Sequence, residues 1–332
     1  MFVPKAIFYE KEIEEYTLGK ELLEKYKAIP KVEIKSHNAI EEMRKKDNKE
    51  FVQMKRNLII GVRKTHKYVE NHKVSDFLVP FTSSGCIAAC MYCYLVCNYN
   101  KCAYLRLFVN REQMLDKIIK KAEDATKDLT FEIGSNSDLI LENTITNNLV
   151  WLVENFKNTS KGKLTFPTKF DMVDKLLPLD HKGKIIIRVS VNPEEIINKV
   201  EFGTSRLNNR IEAINKLAEA GYKVGIIIAP VIFVENWKEL YLNLILYLQY
   251  KLSEKVKKEV FFEIIFMTYS YVHMKINEEA FPNAINIFNK ELMVGRGNGK
   301  YWYKEEIRKE GKKFFIEKIN RYFPKSEIIY IV

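Results

Sequence analysis

The chain has 332 residues, 47% hydrophobic and 29% charged, which is ample for a sizeable core in one large α/β unit or a unit with an appendage. Five cysteines in that length exclude a disulfide scaffold and suit a reducing cytoplasm. The most apolar runs, such as residues 225–234, fall far short of the ~20 residues of a membrane span, and the amino terminus lacks a signal-peptide pattern, so a soluble protein with no membrane partner is expected. The net charge of +11 makes a polyanion such as nucleic acid a candidate partner, although a dispersed lysine excess also serves plain solvation.

Residues 1–75 read as an N-terminal α/β extension. It has helical spacing over 10–26, a solvated polar segment at 42–49, and a short apolar strand at 58–62 that runs into the basic Arg63-Lys64-Thr65-His66-Lys67. From residue 76 a rhythm begins. Strand-like runs at 77–81, 129–133, 164–166, 185–189, 224–229 and 260–266 alternate with helical patterns at 111–126, 143–158, 208–220 and 235–252. That alternation predicts parallel strands with right-handed crossovers, and the nearly unbroken apolar runs predict a sheet covered on both faces. No Gly-x-Gly-x-x-Gly follows the first strand, so a partial TIM-type (β/α)6 barrel over 76–270 fits better than a doubly wound sheet. Chemistry in such a barrel sits at the carboxyl ends of the strands. Residues 271–332 form a less regular tail, in which the glycine-rich 295–300 reads as a hairpin turn.

One stretch organises the rest. Cys86, Cys90 and Cys93, spaced C-x3-C-x2-C, begin five residues past the first barrel strand, with Gly85 ahead and the small Ala88-Ala89 between them. Thiolates are soft ligands that favour zinc or iron–sulfur clusters. A zinc site normally closes with four protein ligands, usually as paired C-x2-C units, and no second pair exists here. A four-iron, four-sulfur cluster on three thiolates leaves one iron open, where a radical enzyme chelates S-adenosylmethionine. The other reading is a zinc knuckle completed by Cys97, Cys102 or a remote histidine, as in a non-catalytic DNA-binding protein with a structural metal.

The stretch Gly85-Cys86-x3-Cys90-x-Tyr92-Cys93-Tyr94-Leu95 resembles spore photoproduct lyases, radical S-adenosylmethionine enzymes of DNA repair. The likeness extends through Leu18-Gly19-Lys20, Ser36-His37-Asn38, Ile60-Gly61-Val62-Arg63-Lys64-Thr65, Phe131-Glu132, Ser137-Asp138, Thr168-Lys169-Phe170, Gly203-Thr204-Ser205, Arg210-Ile211-Glu212, Ala229-Pro230 and Gly299-Lys300-Tyr301. The resemblance implies a [4Fe-4S] cluster on Cys86, Cys90 and Cys93, and a 5′-deoxyadenosyl radical that opens a UV lesion joining adjacent thymines, returning two thymines. It implies S-adenosylmethionine contacts from Ser137, Lys169 and Ser190, with Asn192 and Ala229 at the same strand ends, and Tyr92 and Tyr94 beside the cofactor, with Tyr94 in a hydrogen-transfer relay. It further implies an electron donor such as a flavodoxin or ferredoxin, a monomer, and a spore-core location.

Two departures stand out. The family's final hydrogen donor is a cysteine, but the matching position is Ser135, and an alcohol O–H bond is too strong for that role. Cys97, just past the cluster motif, is the expected replacement, with Cys102 as the other unassigned thiol. In the tail, the family's lesion-contacting arginine is displaced by one position, so Arg296, with Lys300, is the candidate for DNA contact. These departures motivate an alternative, a radical enzyme of the same fold acting on a different substrate.

Overall fold

The computed structural model describes residues 2–98 and 103–332. Its centre is an eight-stranded sheet ordered, from one edge to the other, Ile328–Ile331, Phe261–Phe266, Lys223–Val231, Ile185–Val191, Lys163–Thr168, Thr130–Glu132, Phe77–Leu78 and Val69–Glu70. All neighbours are parallel except the last pair. The six expected strands are all present, and Ile328–Ile331, read from sequence as part of the tail, adds a further parallel strand beside Phe261–Phe266. The sheet curls into the expected partial barrel.

Helices cover its outer face. Arg111–Glu123, Leu207–Glu219 and Trp237–Lys251 bury one apolar stripe each, for example Ile211, Ile214 and Leu217 on the second. The helix expected over 143–158 is two, Leu139–Thr146 and Asn148–Phe156, because Asn147 turns left-handed at φ 55° and breaks the ladder.

The barrel interior is not purely apolar. Arg188 is buried at the centre, with Nη1 2.9 Å from Glu263 Oε2 and Nη2 2.8 Å from Glu132 Oε2, while Nε donates to Thr165 Oγ1 at 3.0 Å. Tyr330, on the added edge strand, donates to Glu263 at 2.6 Å.

The N-terminal segment builds a second sheet, ordered Lys31–Ile34, Ile7–Glu10, Leu58–Gly61, Arg106–Phe108, Ser83–Ser84. Its last two strands come from inside the barrel sequence, so the two sheets share one chain path. Glu10 ties the segment together: it accepts from the His37 backbone N–H, from Val62 N–H at 2.8 Å, and pairs with His37 Nδ1 at 2.8 Å. A Cβ on Gly61 would lie 2.7 Å from Glu10 Oε2, which explains a glycine there. A three-stranded sheet, Thr268–Ser270, Lys300–Tyr303 and Met293–Gly295, completes the tail.

Candidate active site

The carboxyl ends of the barrel strands and the cysteine loop enclose a cavity of about 330 Å³, within the range of small-molecule sites. The loop is held on both sides. Gly85 adopts φ 78°, and a Cβ there would lie 2.0 Å from the Tyr104 carbonyl oxygen, so only glycine lets the chain pass. Cys86 N–H donates to Ala103 O at 3.0 Å. Ala89–Cys90 pairs antiparallel with Glu201–Phe202, setting Glu201 opposite Cys90.

Cys86, Cys90 and Cys93 all line this cavity. Burial pushes the Cys86 thiol up to about 12, with Lys55 pulling the other way. Burial, helped by Glu201, also raises Cys90. Among the described residues no three His, Cys, Asp or Glu side chains gather tightly enough to hold a single ion. The donor set itself, three soft thiols on one cavity wall, suits a cluster held at three corners.

Lys169, Ser190 and Ala229 meet at three adjacent strand ends that line the same cavity. Lys169 Nζ donates to Ser190 Oγ at 2.9 Å, Ala229 O at 2.8 Å and Glu201 Oε1 at 2.9 Å. Glu201 has a fully buried side chain and also accepts from Arg210 Nη2 at 2.7 Å, Asn192 Nδ2 at 3.1 Å and the Tyr92 hydroxyl. Burial pushes its carboxyl up, but Lys169 and Arg210 outweigh that and hold it down at about 2. The Tyr92 hydroxyl is raised well above its ordinary value, by burial first and by Glu201 second. Ser137 meets Ser83 Oγ at 2.7 Å, and Ser83 in turn donates to buried Glu142 at 2.5 Å. The lining alcohols and the ammonium therefore arrive oriented by buried carboxylates.

The expected residues separate into groups. Tyr92, Tyr94, Ser137, Lys169, Ser190 and Ala229 line the cavity with the thiols. Asn192 lies fully buried behind that wall, steadying Glu201 and the Pro230 carbonyl. Tyr94, about half exposed, donates to the Ser135 carbonyl at the cavity wall.

Cys97 departs from expectation. It is not among the cavity-lining residues, and its sulfur sits 3.2 Å from Ser270 Oγ and 3.9 Å from His273 Nε2. The short helix Leu95–Asn98 turns it back onto the helix Tyr271–Ala280. Cys102 lies outside the described residues.

Arg296 and Lys300 flank a tight turn closed by Arg296 N–H to Lys300 O at 2.7 Å. The Arg296 guanidinium stacks 4.4 Å from the Trp302 ring centre, with Arg308 at 4.8 Å. Trp302 is paired in register with Thr268, which lines the cavity, so the hairpin stands at the cavity mouth.

Glu201, Arg210 and Lys55 were not anticipated as site residues. Glu201 carries a visible signal, a lone carboxylate inside Val200-Glu201-Phe202. Arg210 lies on a helix that reads as an ordinary amphipathic one, and Lys55 has no local signal at all.

The profile of the spore photoproduct lyase family matches residues 2–332. The chain is 34% identical to the spore photoproduct lyase of Bacillus subtilis (strain 168), covering 99% of this chain and 98% of that protein. It is 30% identical to that of Clostridium acetobutylicum over the same shares of the two chains. Among solved structures, a doubly substituted spore photoproduct lyase with bound AdoMet and dinucleoside spore photoproduct superposes with a TM-score of 0.92 at 30% identity, covering 100% of this chain and 99% of that one. A spore photoproduct lyase complexed with dinucleoside spore photoproduct also gives 0.92, at 31% identity.

Proposed function

This chain belongs to the spore photoproduct lyase family, and from that premise we propose how its own residues carry out the repair. The protein is a lyase that returns the spore photoproduct to two thymines by radical S-adenosylmethionine chemistry. The observation that carries this reading is the single cavity that gathers three thiols and an oriented ammonium. No helix among the described residues is long and apolar enough to cross a membrane.

Cys86, Cys90 and Cys93 would hold a four-iron, four-sulfur cluster through their thiolates. When bound, the cluster and S-adenosylmethionine supply a carbon radical strong enough to take hydrogen from the lesion. The electron this chemistry needs would come from an external low-potential carrier. Lys169, Ser137 and Ser190 grip the carboxylate and hydroxyls of S-adenosylmethionine. Glu201 keeps Lys169 aimed at the cavity and holds Tyr92 against the same wall. Arg296 on its Trp302 platform, with Lys300, contacts phosphate beside the lesion, which the hairpin helps hold out of the stack.

The final hydrogen return needs an X–H bond weak enough for an allylic thymine radical to break. The alcohols of Ser135 and Ser137 are too strong, Cys97 is turned to Ser270, and the Tyr92 hydroxyl is locked on Glu201. A phenol O–H is far weaker than an alcohol's, and Tyr94 holds one at the cavity wall on the neutral Ser135 carbonyl, a weaker acceptor than the Glu201 carboxylate that holds Tyr92. In this chain Tyr94 gives its hydrogen atom to the product methyl carbon. The O–H bond breaks, the C–H bond forms, and the tyrosyl radical left behind takes one electron from the external carrier and one proton from water.

Product analysis on a dinucleoside lesion tests both levels. Wild-type protein, reconstituted without oxygen and supplied with reductant and S-adenosylmethionine, is expected to return two clean thymines. Tyr94→Phe is expected to lose clean return while still cleaving S-adenosylmethionine, and Cys97→Ala to leave it unchanged. Loss in Cys97→Ala but not in Tyr94→Phe would reverse the donor assignment. S-adenosylmethionine cleavage without any thymine would sink the repair function.

A further inference from the structure

We propose that Lys55 is the resident counter-ion of the cluster site, supplied from the N-terminal segment to make the cluster easier to reduce. The inference rests on the reading that Cys86, Cys90 and Cys93 hold a cluster. Lys55 closes the one-turn helix Phe51–Met54 and is only 2% exposed. Its ammonium donates to the Cys86 carbonyl oxygen at 3.0 Å and lies 5.3 Å from the Phe51 ring centre. Phe51, Met54, Leu95 and Tyr104 belong to the apolar cluster on this side of the loop.

What sets this lysine apart is the lack of an opposite charge. Among the described residues no carboxylate forms an ion pair with it, whereas buried Arg188 pairs with Glu132 and Glu263, and buried Arg210 with Glu201. Buried charges are normally compensated, because a cation removed from water without a partner is strongly unfavourable. Among the described residues, the one hydrogen-bond acceptor of Lys55 is a ligand residue's own carbonyl, that of Cys86 at 3.0 Å. Three thiolates around a four-iron core make an anionic assembly, which becomes more negative on taking up an electron. A cation fixed behind the Cys86 wall therefore stabilises the reduced form more than the oxidised one. Lys55 does not line the cavity, so it acts through the cluster's charge and not on the substrate, as a positioning residue.

Asn277 provides an internal control. It donates to the Met91 carbonyl at 2.8 Å, holding the same loop from the same side without a charge.

The test reconstitutes wild type, Lys55→Met, Lys55→Arg and Asn277→Ala anaerobically. Iron and sulfide are counted, and the cluster is titrated with a low-potential mediator series followed by electron paramagnetic resonance. Lys55→Met is expected to lower the equilibrium constant for one-electron reduction about tenfold, a shift of about 59 mV to more negative potential. Lys55→Arg and Asn277→Ala are expected to stay near wild type. A second signature is a reversal of sign. In the metal-free proteins Lys55→Met is expected to raise the urea midpoint, by removing an uncompensated charge, and in the loaded proteins to lower it. Lys55→Gln serves the same readouts if the methionine variant does not fold. A loaded Lys55→Met with unmoved potential overturns this proposal alone. A wild-type protein that takes up no iron overturns the cluster reading and this proposal together.

Discussion

Two lysines stand near the cysteine loop, one lining the cavity and one bonded to the Cys86 carbonyl outside that lining, and they are prepared differently. Lys169, on the cavity side, is partly exposed and ion-paired to Glu201 at 2.9 Å. Lys55, outside the cavity lining, is buried with a carbonyl and, among the described residues, no paired carboxylate. A paired lysine keeps a fixed direction at little net charge, which suits a group that must grip an incoming ligand. An unpaired one keeps its full field, which suits a site whose anion arrives with the cofactor. The contrast places orientation at the cavity lining and electrostatics outside it.

The strongest way to break the cavity side is Glu201→Gln. It leaves buried Arg210 without its counter-charge and frees Lys169, and a loss of about 3–5 kcal/mol in denaturant-measured stability is expected. Lys169→Met sharpens the contrast, because Glu201 keeps Arg210, Asn192 and Tyr92. Folding is then expected to survive, while the Kd for S-adenosylmethionine, read by calorimetry, rises about tenfold or more. A collapse of stability equal to that of Glu201→Gln would show that Lys169 serves the fold and not the ligand.

A smaller effect is expected away from the loop. Arg296→Ala is expected to weaken duplex binding evenly across sequences and to reduce the salt slope by about 1, read by fluorescence anisotropy over a salt series. An unchanged slope would remove Arg296 from the phosphate contacts.

The smallest expected effect lies in the N-terminal sheet. Burial pushes the Glu10 carboxyl up, but hydrogen bonds from His37 and Val62 outweigh it and hold it below its ordinary value of 4.5. A lowered folded-state value contributes stability above 4.5 that is lost as pH falls through it. The stability gap between wild type and Glu10→Gln is therefore expected to be widest near neutral pH and to close in acid. A gap independent of pH would contradict the assignment.

How much of this was legible in the sequence follows from where the information resides. The barrel strands were readable because both of their faces are covered, which leaves long apolar runs such as Ile185–Val191. The same runs hid Arg188 and Glu263, single charges whose partners lie on other strands. The second sheet was readable only in part: the Leu58–Gly61 strand shows, but its partner Arg106–Phe108, and the Ser83–Ser84 strand paired with that partner, arrive from distant sequence. At the site, Lys169, Ser190 and Ala229 were anticipated through the family likeness, and the structure brings them within hydrogen-bond reach. Cys97 was expected from its closeness along the chain, but closeness does not fix direction, and the structure sets its sulfur 3.2 Å from Ser270 Oγ. Lys55 was invisible, since nothing local distinguishes a buried lysine from a solvated one.

The proposed repair chemistry requires three thiolates of one loop to hold four irons with one corner left for S-adenosylmethionine. Electron paramagnetic resonance of the anaerobically reconstituted, reduced protein tests this directly. The expected result is the signal of a reduced four-iron cluster that changes shape when S-adenosylmethionine is added and is absent from a Cys86→Ala, Cys90→Ala, Cys93→Ala triple variant. A silent spectrum with one tightly held zinc per chain would contradict it.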